Sequence, residues 1–243
     1  MTGMDDPAFY GDTWAGVYDE QFAGLDPAAA VDFLAGLAGG RVLELAIGTG
    51  RIALPLAARG ITVEGIDASG AMVQRLRAKP GGESIPVTMG DMAGVPASGP
   101  FSLVYLVFNT LFGLLSQARQ KDCFRSVARV LGPGGVFVIE CFVPDVTRFD
   151  RGQRVQAVAA AGDGAGIELS LHDAARQRVT TQVVTLDGQG LQLRPVVIRY
   201  AWPSELDLMA ELAGLRLRER YGDWDRRPFD SAATKHISVY QPA

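Results

Sequence analysis

Three acidic residues follow three separate apolar segments near the start of the chain, and the first is accompanied by a glycine-rich turn. Glu44 opens a stretch that ends at Gly50, Asp67 comes seventeen residues later, and Asp91 follows Gly90. A carboxylate at a strand end can accept hydrogen bonds from both hydroxyls of a ribose, and glycines let the backbone approach a ligand closely. Any one acid alone could be an ordinary turn residue, but the three together indicate a site for a nucleoside.

The segments that carry these acids alternate between strand-like and helix-like patterns. Nearly continuous apolar runs separated by helices are typical of a parallel sheet that is covered on both faces. In such a sheet, ligands bind beyond the carboxyl ends of the strands, which brings the three acids to one edge. The predicted strands span residues 41–46, 61–67, 86–91, 101–108 and 136–142, and the predicted helices span residues 50–59, 69–78 and 116–131.

The pattern changes after Pro144, where strand-like runs follow one another without helices. We interpret this region as a small antiparallel insertion, in which Pro195 favours an edge strand and the Ala-Gly-rich stretch 159–166 favours a loop. A helix capped by Ser204 and two final strands complete the prediction. The inserted strands are predicted at residues 167–172, 179–186 and 191–201, and the three units at residues 1–143 (arm and core), 144–202 (insertion) and 203–243 (end of the core).

Two classes of cofactor fit the glycine-rich turn. Gly48, Gly50 and Ala53 match the G-x-G-x-x-A pattern of dinucleotide-binding folds, which is a weak signal by itself. A dinucleotide places its pyrophosphate over this turn, and the carboxylate of Glu44 would repel that anion. The same carboxylate would attract a ligand that carries an ammonium and a sulfonium. S-adenosylmethionine has both groups and no phosphate, so the residues favour it over a nicotinamide dinucleotide.

The sequence resembles the class I S-adenosylmethionine-dependent methyltransferases. The resemblance covers residues 10–143 well and residues 203–241 more loosely. It implies an α/β fold of the doubly wound, Rossmann-like type, with a mostly parallel seven-stranded sheet whose last strand forms an antiparallel hairpin with its neighbour. The motifs do not specify the acceptor. The matching stretches are Glu44–Gly50, Gly65–Ser69, Gly90–Met92, Phe108–Thr110 and Leu131–Gly135.

The resemblance also implies which residues hold the cofactor. Asp67 would bind the ribose, Asp91 would meet the adenine amino group, and Tyr18 would close over the ligand. The chain at residues 108–109 would pass beneath the sulfonium, and Ala46 stands where the family has the first glycine of its motif. Arg51, at the start of the first helix, could meet the cofactor carboxylate, with a solvated position as the alternative. The complete predicted set is Tyr18, Glu44, Ala46, Gly48, Gly50, Arg51, Asp67, Ala68, Met72, Gly90, Asp91, Met92, Phe108 and Asn109.

The acceptor side is less defined by the sequence. A catalytic base is needed only if the acceptor must lose a proton, and His172 in the insertion is the candidate, with an ordinary strand position as the alternative. The aromatic side chains of Trp14, Tyr200 and Trp202 could enclose a flat or apolar acceptor, with ordinary sheet packing as the alternative. His236, the other histidine, is expected to be structural.

The composition argues against several other functions. The 243 residues carry a net charge of −4, which disfavours a broad basic face for nucleic acid. Two cysteines without zinc-like spacing predict neither a disulfide framework nor a metal site. No apolar run of eighteen residues occurs, so we expect no membrane span. No signal peptide is visible, and we expect a cytoplasmic protein.

We therefore expect an enzyme that transfers a methyl group from S-adenosylmethionine to a small molecule. A secondary metabolite or its precursor, methylated on nitrogen or oxygen, fits the N-terminal Tyr-Asp pair and the insertion. The alternatives are a methyltransferase that acts on tRNA or protein, an NAD-dependent oxidoreductase, and a binding protein of the same fold. No stable nucleic-acid or membrane partner is expected, and the insertion could form the interface of a homodimer.

Overall fold

The computed structural model describes residues 3–161, 164–188 and 190–243. Over these residues the chain forms an N-terminal helical arm, an α/β core and an antiparallel insertion. The helices are α1 (Phe9–Trp14), α2 (Tyr18–Gln21), α3 (Ala28–Ala35), α4 (Ala53–Ala58), α5 (Gly70–Arg77), α6 (Gln117–Val130) and α7 (Pro203–Leu212). The strands are β1 (Val42–Leu45), β2 (Val63–Asp67), β3 (Val87–Met89), β4 (Phe101–Leu106), β5 (Leu131–Phe142), β6 (Gln153–Ala161), β7 (Gly164–Asp173), β8 (Arg178–Asp187), β9 (Gly190–Arg199), β10 (Leu215–Tyr221) and β11 (Lys235–Pro242).

The core is a seven-stranded sheet in the order β10-β11-β5-β4-β1-β2-β3. The strands from β3 to β5 in this order run parallel, whereas β11 is antiparallel to both β5 and β10. The predicted doubly wound sheet, with an antiparallel hairpin at its end, is therefore confirmed. The strand order reverses between β1 and β4, the place where open α/β sheets bind their ligands.

The central strands contribute alternate residues to two hydrophobic clusters, one on each face of the sheet. Leu43 and Leu45 belong to the cluster that also contains α6 and α7, whereas Val42 belongs to the cluster that contains α3 and α4. Burial on both faces explains why these strands are almost continuously apolar. Every residue of β1 is buried, so the strand carries the charged residue Glu44 into the interior.

The register of the strands aligns their carboxyl ends. Glu44 lies beside Gly65 of β2 on one side and Tyr105 of β4 on the other, while Asp67 at the end of β2 lies beside Met89 of β3. Asp91 follows two residues after Met89. The three predicted acids therefore reach one edge of the sheet, as the sequence indicated.

The insertion forms a second, antiparallel sheet in the order β6-β7-β8-β9. It has one strand more than predicted, because β6 and the start of β7 occupy most of the stretch 159–166 that was expected to be a loop. Residues 162 and 163 lie outside the described part of the chain. Backbone hydrogen bonds with β7 continue along β6 to its end at Ala161. Pro195 lies on β9 at the edge of this sheet, as its type predicted.

Helix α7 begins earlier than predicted. Trp202 is its N-cap residue and Pro203 its first residue, so Ser204 lies inside the first turn and makes no capping bond. Proline suits the first helical position because the amide donor that it lacks would have no partner within the helix.

Candidate functional site

A cavity of about 650 Å³ opens at the carboxyl ends of the parallel strands. Residues 4–11 of the N-terminal segment and residues 195–198 of β9 form further walls. A space of this volume suits a cofactor together with a small molecule. The predicted residues that line it are Tyr18, Ala46, Gly48, Asp67, Ala68, Met72, Gly90, Asp91, Met92, Phe108 and Asn109.

A second cavity of about 30 Å³ contains two more of the predicted residues. Glu44 and Arg51 line it, together with Tyr18, which lines both cavities. Gly50 lines neither. Its backbone, with φ of +81°, packs against Leu76, and an added Cβ would lie 2.4 Å from that side chain. Gly50 therefore shapes the turn without facing either cavity.

Both carboxylate oxygens of Asp67 accept hydrogen bonds from the backbone. Oδ2 accepts from the Gly48 amide at 2.7 Å and Oδ1 from the Ser69 amide at 2.8 Å. Burial raises the pKa of Asp67 above its ordinary value, and the amide donors act in the opposite direction. Each oxygen retains a lone pair for another donor, so a ligand with two adjacent hydroxyls can bind where Asp67 lines the cavity.

Glu44 is only 4% exposed and accepts a hydrogen bond from the Tyr105 hydroxyl at 2.8 Å. Burial raises the pKa of Glu44 to about 8, and the Tyr105 hydroxyl and the Arg51 guanidinium oppose that shift. A cation that bound beside Glu44 would lower this pKa and favour the charged carboxylate. Glu44 can therefore release its proton and become negatively charged when a positively charged ligand binds beside it.

Two hydrogen bonds that sequence reasoning missed fasten the N-terminal arm to the core. Ser69 Oγ donates to Asp12 at 2.6 Å, and Thr49 Oγ1 donates to Asp19 at 2.6 Å. Lys79 adds an ion pair with Asp19 at 2.8 Å. Asp12 and Asp19 lie in an acidic segment, so no local pattern distinguishes them. These contacts hold the arm and its aromatic side chains at the edge of the cavity.

Asp91 forms an ion pair with Arg119 of α6, another residue that sequence reasoning missed. Its other oxygen accepts from the Ala93 amide at 2.9 Å. Asp91 and Arg119 both line the cavity. The periodicity of α6 identified its apolar face, but the position of Arg119 beside the sheet edge depends on how the helix packs.

Left-handed backbone occurs in two turns at the carboxyl edge of the sheet. The φ angles are 53° at Ala46 and 57° at Gly48 after β1, and 59° at Phe108 and 63° at Asn109 after β4. Residues other than glycine adopt such angles only at a cost in free energy. Ala46 is therefore strained in a conformation that glycine adopts without that cost.

The residues predicted to meet the acceptor make other contacts in the structure, and their role stays a prediction. His172 shares a hydrogen bond of 2.9 Å with the Tyr200 hydroxyl and stacks on a phenylalanine ring. Among the described residues that line the two cavities, His172, Tyr200, Trp202 and Trp14 are absent. Trp14 is buried and donates to a carbonyl of β9 at 3.4 Å. In this geometry His172, Tyr200 and Trp14 pack the insertion against the core.

The part of the chain that the structure describes contains no group of three or more His, Cys, Asp or Glu side chains that could hold a metal ion. None of its helices is long and apolar enough to cross a membrane. Cys123 and Cys141 are free and buried, and burial raises the pKa of both thiols. The neutral thiols are therefore unsuited to act as nucleophiles.

The fold and the site together define a class of protein. A doubly wound seven-stranded sheet with an antiparallel hairpin, acids at the carboxyl ends of three adjacent strands and a cavity of about 650 Å³ at that edge is the arrangement of S-adenosylmethionine-dependent methyltransferases. A family model described as a methyltransferase domain matches residues 42–135.

Comparisons with known proteins extend this match to the whole chain. The CcbJ methyltransferase from Streptomyces caelestis is 40% identical, with a TM-score of 0.91 over 98% of this chain and 99% of that chain. The cypemycin N-terminal methyltransferase of a Streptomyces species is 27% identical over 98% of this chain and 99% of its own. CalS10, an amino pentose methyltransferase from Micromonospora echinaspora solved with its cofactor, is 22% identical and shares the fold, with a TM-score of 0.70 over 93% of this chain and 97% of that chain.

The chain belongs to the S-adenosylmethionine-dependent methyltransferases. It is an enzyme that takes the transferred methyl group from S-adenosylmethionine.

The raised pKa of Glu44 predicts a specific dependence of stability on pH. Its folded pKa of about 8 exceeds the ordinary value of 4.5, so between these values the folded state keeps a proton that the unfolded state releases. The free energy of unfolding contributed by Glu44 therefore falls as pH rises through this window, by up to about 1.4 kcal/mol per pH unit. Urea unfolding between pH 5 and pH 8 should show this loss in the wild type, and Glu44→Gln should remove it. Parallel profiles for the two proteins would contradict the shift.

Proposed function

We propose that this enzyme methylates an amine nitrogen of a small molecule, either a secondary metabolite or its precursor. The charge of the cavity lining supports an amine. The lining includes the carboxylates of Asp5, Asp6, Asp67 and Asp91 and the guanidiniums of Arg119 and Arg178. Both guanidiniums already pair with carboxylates of the lining, Arg178 with Asp5 at 3.4 Å. The remaining negative charge favours a cationic acceptor over a carboxylate or a phosphate.

The shape and apolar character of the cavity support a small acceptor. Apolar side chains on the inner face of β9, such as Val196 and Ile198, line the cavity together with Phe9 of the arm. A bounded space of about 650 Å³ suits a compact organic molecule better than a polymer. The name of the cypemycin relative refers to an N-terminal acceptor in that protein's case, which agrees with nitrogen as the methylated atom.

The residues predicted to hold the cofactor fit it. Asp67 offers free lone pairs for two ribose hydroxyls, and Asp91 can accept the adenine amino group beside its contacts with Arg119 and the Ala93 amide. Glu44, with its adjustable charge, lies where the sequence indicated the cationic end of the ligand. In this proposal Phe108 and Asn109 pass beneath that end.

The chemistry asks the protein mainly to position the reactants. S-adenosylmethionine supplies a methyl group that its sulfonium has already activated. A cationic amine first releases one proton to water, and the free base then attacks. The new N–C bond forms as the S–C bond breaks, and the product leaves as a methylated ammonium. This route needs no side-chain base, in agreement with the place of His172 outside the lining described here. The walls of the cavity align the nitrogen with the methyl group.

A matched pair of acceptors tests the proposed reaction. The wild-type enzyme is incubated with S-adenosylmethionine and either an amino sugar or the same sugar with a hydroxyl in place of the amine, and methylated product is measured by mass spectrometry. We expect methylation of the amine, with a rate that rises with pH as the free base becomes more abundant. Methylation of the alcohol alone would contradict the proposal.

Replacement of Asp67 tests the proposed ribose contact. Asp67→Ala should weaken the binding of S-adenosylhomocysteine by roughly 1–3 kcal/mol through lost charge-assisted hydrogen bonds, which is about 5- to 150-fold in Kd. Isothermal titration calorimetry measures the change, and Asp122→Ala on the exposed face of α6 is the matched control. Unchanged affinity in Asp67→Ala would rule out its ribose role, and binding of NAD in place of the nucleoside would overturn the cofactor assignment.

We also propose that a second copy of the chain binds the outer face of the insertion. Strand pairing places seven exposed apolar side chains on this face, while Val183 and Val196 on the other face pack against Trp14. Four strands of about ten residues form a face of roughly 15 by 30 Å. Monomeric proteins rarely expose an apolar patch larger than this face. A largely apolar face can pair with itself about a two-fold axis. The seven residues are Val155, Ile167, Leu169, Leu171, Leu186, Leu191 and Leu193.

Sedimentation velocity tests this homodimer. The wild type should sediment as a dimer at micromolar concentration, and the double variant Leu169→Asp with Leu171→Asp should sediment as a monomer. The control is Leu208→Asp with Leu212→Asp, which changes two leucines of α7 that are similarly exposed. A monomeric wild type, or dissociation of the control as well, would contradict the proposed interface.

A further inference from the structure

The turn formed by Phe108 and Asn109 lies where the two cavities meet. Phe108 lines both cavities, and Asn109 lines the larger one. Both residues have left-handed backbone, with φ angles of 59° and 63°. Two consecutive residues other than glycine in this conformation are strained. The surrounding structure must therefore hold the turn in place.

Three hydrogen bonds from the end of β5 hold this turn. The Phe108 amide donates to Glu140 Oε2 at 2.8 Å, and the Asn109 amide donates to the carbonyl oxygen of Glu140 at 3.1 Å. In return, the Phe142 amide donates to Asn109 Oδ1 at 2.6 Å. The turn is thus bonded on both sides to residues 140–142, and the carboxylate of Glu140 supplies the contact to Phe108.

The carboxylate of Glu140 is itself held firmly. Its side chain is 13% exposed, and Lys235 lies 3.6 Å from Oε1. Trp224 Nε1 donates to the same oxygen at 3.1 Å. Glu140 is absent from the described lining of both cavities, so any effect it has on a ligand must pass through the turn.

The turn places an aromatic ring at the centre of the site. The Phe108 ring lies 5.0 Å from the guanidinium carbon of Arg51 and 5.1 Å from the ring of Phe22. Arg51 lines the smaller cavity with Glu44. A shift of the turn would therefore displace the ring and alter the surroundings of Arg51.

We propose that Glu140 is a positioning residue for methyl transfer. Its carboxylate holds Phe108 and Asn109 in their strained conformation, so that they support the reacting end of the cofactor. The inference rests on the proposed function, in which these two residues lie beneath the sulfonium. A displacement of about 1 Å in such a site is enough to lower a rate about a hundredfold. A charged residue inside the apolar segment 136–142 is the sequence signal that marks Glu140.

Two cofactor analogues test this role without a known acceptor. S-adenosylhomocysteine lacks the methyl group, whereas sinefungin carries an amine at the position of that group. Glu140→Ala should raise the Kd of sinefungin about tenfold, because the turn no longer supports the methyl position, and the Kd of S-adenosylhomocysteine less than about threefold. Glu140→Gln should give an intermediate value, since its amide oxygen can still accept from the Phe108 amide. Isothermal titration calorimetry measures both ligands.

The control separates positioning from a loss of stability. Asp207→Ala removes a carboxylate that pairs with Arg220 and Tyr240 in the C-terminal part of the core, so it should lower Tm and leave both Kd values unchanged. Equal changes for the two ligands in Glu140→Ala, or no change in either, would overturn the positioning role. Glu140→Gln carries the test if Glu140→Ala does not fold. Failure of both ligands to bind the wild type would refute the proposed function instead.

Discussion

The arrangement of the site depends on the hydrogen bonds that the Asp67 carboxylate accepts. This carboxylate accepts the amides of Gly48 and Ser69 at 2.7 and 2.8 Å. The Ser69 hydroxyl in turn donates to Asp12 of the arm and accepts from the Met72 amide to cap α5. One buried acid thus connects the turn after β1, the helix after β2 and the N-terminal arm. Because it is buried, each lost bond would leave a polar group unpaired.

The topology of the sheet explains why chemistry collects at this edge. Parallel strands end at the same level, and their helices must begin there, so turns, amide donors and acids converge. At the same edge the backbone must reverse direction within a few residues. Ala46 and Phe108 adopt left-handed conformations as a result. Glu140 and Asn109 supply the hydrogen bonds that hold such a turn after β4.

The two proposed ligands depend on different parts of the chain. The residues predicted to hold the cofactor lie at or after the strand ends of the core, apart from Tyr18 of the arm. The acceptor would meet the N-terminal segment and β9, which carry Asp5 and Val196 into the lining. The ion pair between Asp5 and Arg178 joins these two walls. The choice of acceptor therefore lies with the segments that no family motif covers, and the charge of those segments is the basis for proposing an amine.

The amino-acid sequence by itself determined the fold class, the approximate positions of the core strands and the three acids at one edge. Those features depend on local periodicity and on a rule of sheet topology, and both can be read along the chain. Only the tertiary structure decided that Arg119 reaches Asp91, that Asp12 meets Ser69 and that β6 forms a fourth inserted strand. It also paired His172 with Tyr200, outside the described lining of the cavities. Each of these outcomes depends on contacts between residues far apart in sequence, whose geometry exists only once helices and sheets have packed.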